Sequence, residues 1–333
     1  MSVYSIQPIT LGALRTYPLA SRKSKVGVGE FAKVPAAHGS LPKFLDALPR
    51  ILAGNDLRGV AAAIHEAKRR RKAILWGLGG HVVKVGLGPV INDLMRRGFV
   101  SGIAMNGAAL VHDFEIALSG GTSDDVDAGL KTGDFGMATE TGLFLNQIAV
   151  SASFHAIGYG EATGKFLAGR KLRPENAKAS ILLQAFKRKI PVTVHLAIGT
   201  DIPHMHPMAD GAALGLSTHH DFRLFCALVA GMDGGGAYLN WGSAVMLPEI
   251  FLKAVAVARN QKISLAHIAT ANFDFIQHYR PLQNVVKRPV APLNSKGTTS
   301  SRGWAITGHH ELLMPLLAGA LAAGWPKKPG RPK

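Results

Sequence analysis

Cysteine is nearly absent. Cys226 stands alone among 333 residues, so no internal disulfide can form. Its apolar surroundings, "FRLFCALVAG", predict a thiol buried in a core helix and not a nucleophile, and so sparse a usage predicts a reducing, cytoplasmic compartment. Long hydrophobic runs are also missing. None reaches the ~18–20 residues that a membrane-spanning helix needs, and "ELLMPLLAGALAAGW" near the end is shorter and broken by Pro315. Acid is lacking at the start: four basic residues precede Glu30, the first carboxylate. That bias is shared by transit peptides. Pro8 and Pro18 interrupt it, no amphipathic pattern forms, and no secretory apolar region is present. Residues 1–40 therefore read as an N-terminal arm.

What is abundant is positive charge. Lys and Arg number 38 against 21 Asp and Glu, a net +17, which raises the question of nucleic acid. The charge collects in "SRKSK", "AKRRRK" and the tail "PKKPGRPK", whereas residues 100–160 are acidic. Gly330-Arg331-Pro332 resembles the core of an AT-hook, whose arginine enters a narrow minor groove. The other reading is a solvated, disordered basic tail over 321–333.

Between these ends strands and helices alternate. Residues 41–71 predict helix, turn, helix. "KAILWGLG" and "FVSGIAMNG" are strand-like, each followed by a helix, the first opened by Pro89. Ser123, Asp124 and Asp125 predict a helix cap. "IPVTVHLAIGTD", "GGGAYLNW" and "ISLAHIATANFD" are further strands. This alternation predicts an α/β fold: a Rossmann-like, doubly wound, mostly parallel sheet with helices on both faces. No linker interrupts 41–320, so one domain is expected there.

In such a sheet ligands bind beyond the carboxyl ends of the strands. The segments to watch are "GLGGH", "MNGA", "GTDIPHMHP", "NWGSA" and "FIQHYR". Glycines in these turns let a ligand approach the backbone closely, and following helix starts favour an anion. "GLGGHVVKVGLG" departs from the dinucleotide fingerprint, because Arg96 and Arg97 stand where an acid is wanted. Histidines cluster at strand ends: His81, His204, His206, His278, His309 and His310. Asp201, His204 and His206 could suggest a metal, but no zinc signature supplies a third ligand, and no metal is expected. In "MNGAALVHDFEIAL", Leu110, Phe114, Ala117 and Leu118 share one helix face, whereas His112, Glu115 and Ser119 lie on another. That second stripe suits solvent, a ligand or a subunit interface.

Taken together, these stretches resemble the deoxyhypusine synthase family, collinearly from about residue 18 to 320. The resemblance implies an NAD-dependent transferase that oxidises spermidine and passes an aminobutyl group on through a lysine. It sets Gly80 and His81 at the family's Ser-Asn turn that contacts NAD. It sets Asn106 and Gly107 at its Thr-Ala/Gly turn, and His112 and Asp113 at its acidic helix start. Gly242 and Ser243 fall in its glycine-rich turn, His278 beside the nicotinamide ribose, and His309 at the Asp after the last strand. All ten are thus implied cofactor contacts. "SKGTTSSRGWAITGHHELLMPLL" aligns without gaps to the segment from the family's catalytic lysine, which lands on Lys296. Homotetramers are implied as well.

The departures lie in the substrate half. Asn294-Ser295 replace the Trp-Gly before the lysine, and Pro248 or Glu249 replaces the catalytic histidine. The polyamine-holding loop, "PLQNVVKRPVAPLNSK", has no carboxylate and offers Lys287 and Arg288, which would repel a polyamine. The expectation is an NAD-dependent transferase with an altered amine-type substrate. Lys296 would form an imine, and Asp201, His204 or Glu249 would supply acid–base groups. The alternative is a non-catalytic NAD-binding sensor or scaffold, with basic arms touching nucleic acid.

Overall fold

The computed structural model describes residues 3–292 and 300–326. Strands β1 (Ile74–Leu78), β2 (Gly102–Asn106), β3 (Val192–His195), β4 (Ala237–Trp241), β5 (Ala269–Asp274) and β6 (Arg302–Thr307) form one sheet. Its order is β3-β2-β1-β4-β5-β6, and every adjacent pair is parallel. This is the doubly wound, Rossmann-like α/β fold.

Helices α1 (Leu41–Ala47) and α2 (Leu52–Arg69) precede the sheet, and α3 (Gly80–Lys84) and α4 (Gly88–Arg96) join β1 to β2. The path from β2 to β3 is longer: α5 (Gly107–Ser119), α6 (Val126–Thr132), α7 (Thr139–Phe154), α8 (Tyr159–Ala168), α9 (Pro174–Ala179) and α10 (Ile181–Lys187). α11 (Gly211–Ala230) leads into β4 and contains the buried Cys226. α12 (Met246–Asn260) leads into β5, α13 (Tyr279–Pro281) and a π-helical stretch (Leu282–Lys287) follow β5, and α14 (His310–Ala322) follows β6. Among the described residues no helix is long and apolar enough to cross a membrane.

Because successive strand side chains point to opposite faces, the central strands β1, β2 and β4 each serve two cores. Trp76, Ile103, Met105 and Leu239 face one, with residues of α2, α4, α5 and α14. Leu75, Ala104 and Tyr238 face the other, with α11 and α12. Covering both faces explains why the strands read as apolar runs and not as alternating ones. On the first face Trp76 stacks on Trp241 at 5.5 Å, and Trp241 on Phe273 at 3.9 Å, across β1, β4 and β5. Each such ring contributes roughly 1.5–3 kcal/mol by its burial.

Two local readings change. Asp125 alone caps α6, accepting from the Ala128 amide; Asp124 accepts instead from Gly136 N. Packing also runs past residue 320 into the supposed tail. Leu321 and Trp325 are buried, and Trp325 stacks under the Arg58 guanidinium at 4.6 Å.

Candidate functional site

The strand order reverses between β1 and β4, and the chain leaves these neighbours toward opposite faces of the sheet. Such a reversal opens the ligand crevice of doubly wound folds. The two turns meet there. Gly79 N donates to the Trp241 carbonyl at 2.8 Å. A Cβ on Gly79 would lie 2.1 Å from the Gly242 carbonyl oxygen. Gly242 itself has φ +64°, a left-handed conformation that favours glycine. Ser243 is drawn into the fold, its Oγ accepting from Leu247 N at the start of α12.

A rim of rings surrounds this point. His310, the first residue of α14, is fully buried, and its Nε2 lies 3.1 Å from the Phe273 carbonyl oxygen. A carbonyl only accepts, so Nε2 carries the hydrogen and donates. Burial pulls the imidazole pKa down, against the opposing pull of that bond and of Asp274. Nδ1 is left as a bare acceptor, buried without a partner. The exposed His81 ring lies 5.6 Å from His310 and 5.9 Å from Phe275. His309 stacks on Phe275 at 6.0 Å. His278 is exposed at the start of α13.

Beside the rim, α5 opens a second part of the site. Asn106 ends β2 and caps α5, accepting from Ala109 N at 3.0 Å. A pocket of about 280 Å³ follows, lined by Lys84, Ala108, His112, Glu115, Asp124 and Asp201 among others. Gly80 meets it from the β1 turn; a Cβ there would lie 3.4 Å from His112 Cδ2. Asp201 reaches Gly107 from the loop after β3. A Cβ on Gly107 would lie 2.0 Å from Asp201 Oδ2, an oxygen that is buried without a partner. Burial raises the Asp201 pKa to about 6.

Within the pocket, Thr122 Oγ1 donates to Glu115 Oε2 at 2.5 Å, and Thr141 Oγ1 donates to Glu115 Oε1 at 2.9 Å. His112 Nδ1 lies 2.8 Å from Thr122 Oγ1. Burial lowers the His112 pKa; Glu115 opposes this and Lys84 adds to it.

Other expected site residues do different work. Asp113 turns away from the pocket: its buried carboxylate accepts from Ser180 Oγ (2.7 Å), Ile181 N (2.6 Å) and Leu182 N (2.9 Å) at the start of α10. Burial raises its pKa to about 6 against those bonds. His204 holds the loop that presents Asp201, its Nδ1 accepting from Gly199 N (3.1 Å) and Asp201 N (3.4 Å). Glu249 pairs with Lys253, Arg280 (3.2 Å) and Asn284 (2.8 Å), which hold its pKa below the usual carboxylate range. His206 accepts from Met208 N. Among the described residues no group of three or more His, Cys, Asp and Glu is placed to hold a metal ion. Lys296 lies outside the described residues.

Nothing in the sequence singled out Thr122 or Thr141 for this site, whereas Phe275 opens the strand-end segment "FIQHYR". Glu115 had one signal, its place three residues after His112 on the same helix face. Thr122 had none, since it lies beyond the helix end at Gly120.

No known protein family and no curated protein matches the chain by sequence. Solved structures do match in shape. One is described as a conserved LOR/SDH protein from Methanococcus maripaludis S2, 16% identical, covering 82% of this chain and 70% of that one, with TM-score 0.50. Another is described as a deoxyhypusine synthase from Entamoeba histolytica, 10% identical, covering 88% and 96%, with TM-score 0.48. A third, AgrE in a ternary complex with ornithine and NAD+, is 14% identical with TM-score 0.47. The chain covers 81% of its own length there and spans a third of that protein. At these identities the likeness is one of fold.

Proposed function

We propose that this chain is an NAD-dependent enzyme acting on a small amine-type substrate at the carboxyl ends of β1, β2 and β4. The observation that carries the reading is the reversal of strand order at β1 and β4, where two glycine turns close on each other beneath a ring of His and Phe side chains. The donor set fits a dinucleotide. His310 Nδ1 and Asp201 Oδ2 are buried acceptors without partners, and ribose hydroxyls or a carboxamide N–H would satisfy them. Lys84 and His81 offer positive charge or N–H donors to phosphates, and Phe275 offers an exposed flat face.

Bound NAD would supply the acceptor for a hydride. The chain's own residues would orient the substrate and handle its proton. Glu115, Asp124 and Asp201 outnumber Lys84 around the pocket, a balance that favours an ammonium group. Lys296 is proposed as the covalent carrier: loss of hydride and a proton turns the substrate amine into an imine, the Lys296 amine adds to its carbon, and the original amine leaves, so that the imine is carried on Lys296. Exposed apolar side chains on α7 and α11, Val150, Phe154 and Leu216, suit burial against another subunit and support a homo-oligomer.

Calorimetry of the purified protein with NAD tests the reading. Saturable heat is expected, and its absence at millimolar NAD would overturn it. Binding without amine-dependent NADH formation would move the function to a sensor or scaffold.

A further inference from the structure

His112 and its neighbours form an ordered chain of hydrogen bonds with one free end. The Glu115 carboxylate accepts from both Thr122 and Thr141. A threonine hydroxyl has a single hydrogen, and that of Thr122 goes to Glu115. Toward His112 the same oxygen can only accept, so His112 Nδ1 must carry a hydrogen and donate it. In the neutral ring Nε2 is then a bare lone pair. Nε2 adjoins Cδ2, the atom that faces Gly80 and the turn after β1, and the ring lines the pocket. This is the less common tautomer of a free imidazole, imposed by a carboxylate that acts through a hydroxyl.

We propose that His112 is a proton acceptor of this site, with Nε2 as the reacting atom and Thr122 and Glu115 as positioning residues. The proposal rests on reading the pocket as a substrate site. When a bound hydroxyl or ammonium gives up its proton, the X–H bond breaks, its electron pair stays on X, and an N–H bond forms at Nε2. The positive charge then spreads over an imidazolium whose other N–H points through Thr122 at Glu115. No group need move, because Nδ1–H donates to Thr122 before and after the transfer. The charged and titratable groups around the ring are Glu115 on its own helix, Lys84 from α3, Asp124 from the loop before α6, and Asp201 from the loop after β3. Lys84 and burial favour the neutral ring, which is the form a base needs at rest. The three carboxylates favour the protonated one. Asp113, next in sequence, contributes no free carboxylate, since it is bound to α10.

The test needs no substrate. In protein labelled with ¹⁵N-histidine, long-range ¹⁵N–¹H spectra report which ring nitrogen carries hydrogen, and His112→Asn assigns the signal. The expected result is Nδ1–H at neutral pH in the full-length protein. Thr122→Val should shift the ring to Nε2–H, and Thr122→Ser, which restores the hydroxyl, should return it. An Nε2–H ring in the wild type, or no change in Thr122→Val, overturns the proposal. Carbethoxylation by diethyl pyrocarbonate, mapped by peptide mass, then reads whether Nε2 is reachable and at what pH it becomes free. Glu115→Gln should lower that apparent pKa by about one unit, a tenfold change in proton affinity; an unmodified His112 or an unshifted midpoint counts against it. NAD calorimetry on the same samples separates the two ideas. Loss of NAD binding with the tautomer intact would sink the dinucleotide reading alone. The reverse result would sink the relay alone.

Discussion

Asp201 occupies the space that a side chain on Gly107 would need: its Oδ2 lies 2.0 Å from where that Cβ would be. The two residues are 94 positions apart, and one belongs to the helix after β2, the other to the loop after β3. Glycine at 107 is therefore a requirement of contact with Asp201. The contact sets a carboxylate at the N-terminal end of α5, where positive helix-end charge suits it.

Gly107→Ala should push Asp201 and its loop aside. Overpacking of this kind costs about 1–3 kcal/mol, so a modest loss of stability in urea is expected. If Asp201 contacts the dinucleotide, NAD affinity in calorimetry should fall at least about tenfold, equivalent to roughly 1.4 kcal/mol. Unchanged affinity would remove Asp201 from the cofactor site.

Asp113→Ala should be costly for folding. It strips the partner from Ser180 Oγ, Ile181 N and Leu182 N, all buried around α10. Each orphaned donor costs about 1–3 kcal/mol, though not additively. A loss of about 3 kcal/mol in urea unfolding is expected, with Asp113→Asn milder because one acceptor remains.

Asp221 should tie stability to pH. Its carboxyl is fully buried in α11 and accepts from Gly160 N and Val194 N, while Oδ1 has no partner. Burial raises its pKa from 3.8 to about 7. Between these values the folded chain holds a proton that the unfolded chain has released. Stability from this group is therefore full below about pH 4 and falls as pH rises toward 7. Asp221→Asn resembles the protonated acid. Relative to the wild type it should gain stability between pH 4 and 7, read as diverging melting temperatures; parallel pH curves would refute the shift.

Glu249→Gln should not alter proton handling at the site. The carboxylate binds Lys253, Arg280 and Asn284 and is kept charged by them. It is partly exposed, so losing these pairs should cost only about 1 kcal/mol. Once a substrate is found, the pH profile of turnover should be the same in the variant. Lys296→Ala, by contrast, should abolish turnover and leave NAD binding intact.

Most of the fold was legible because it rests on local rules. Apolar runs over 74–78 and 102–106 can bury on both faces only inside a parallel sheet. Asn106 is a good cap, and Leu110, Phe114 and Ala117 recur at helical spacing and are buried. The strand-end glycines Gly79, Gly107 and Gly242 do fall in the turns after β1, β2 and β4. What periodicity could not do was divide the polar residues of α5 between core and pocket. Asp113 and His112 are neighbours, and the roughly 100° step between them sends one to α10 and the other to the site.

Sequence alone determined the doubly wound α/β class and the mid-chain strands, since these follow from hydrophobic period, capping chemistry and chain direction. Only the tertiary structure decided which side chains remain free for chemistry. Ser243, Asp113, His204 and Glu249 are all plausible by type, yet each is held by partners within the fold: Leu247, α10, the 199–201 backbone, and Arg280 with Asn284. Asp201, His112 and His310 each keep a side-chain atom without a hydrogen-bond partner. The physical reason is that hydrogen-bonding capacity is finite, and how it is shared depends on contacts between segments far apart in the chain.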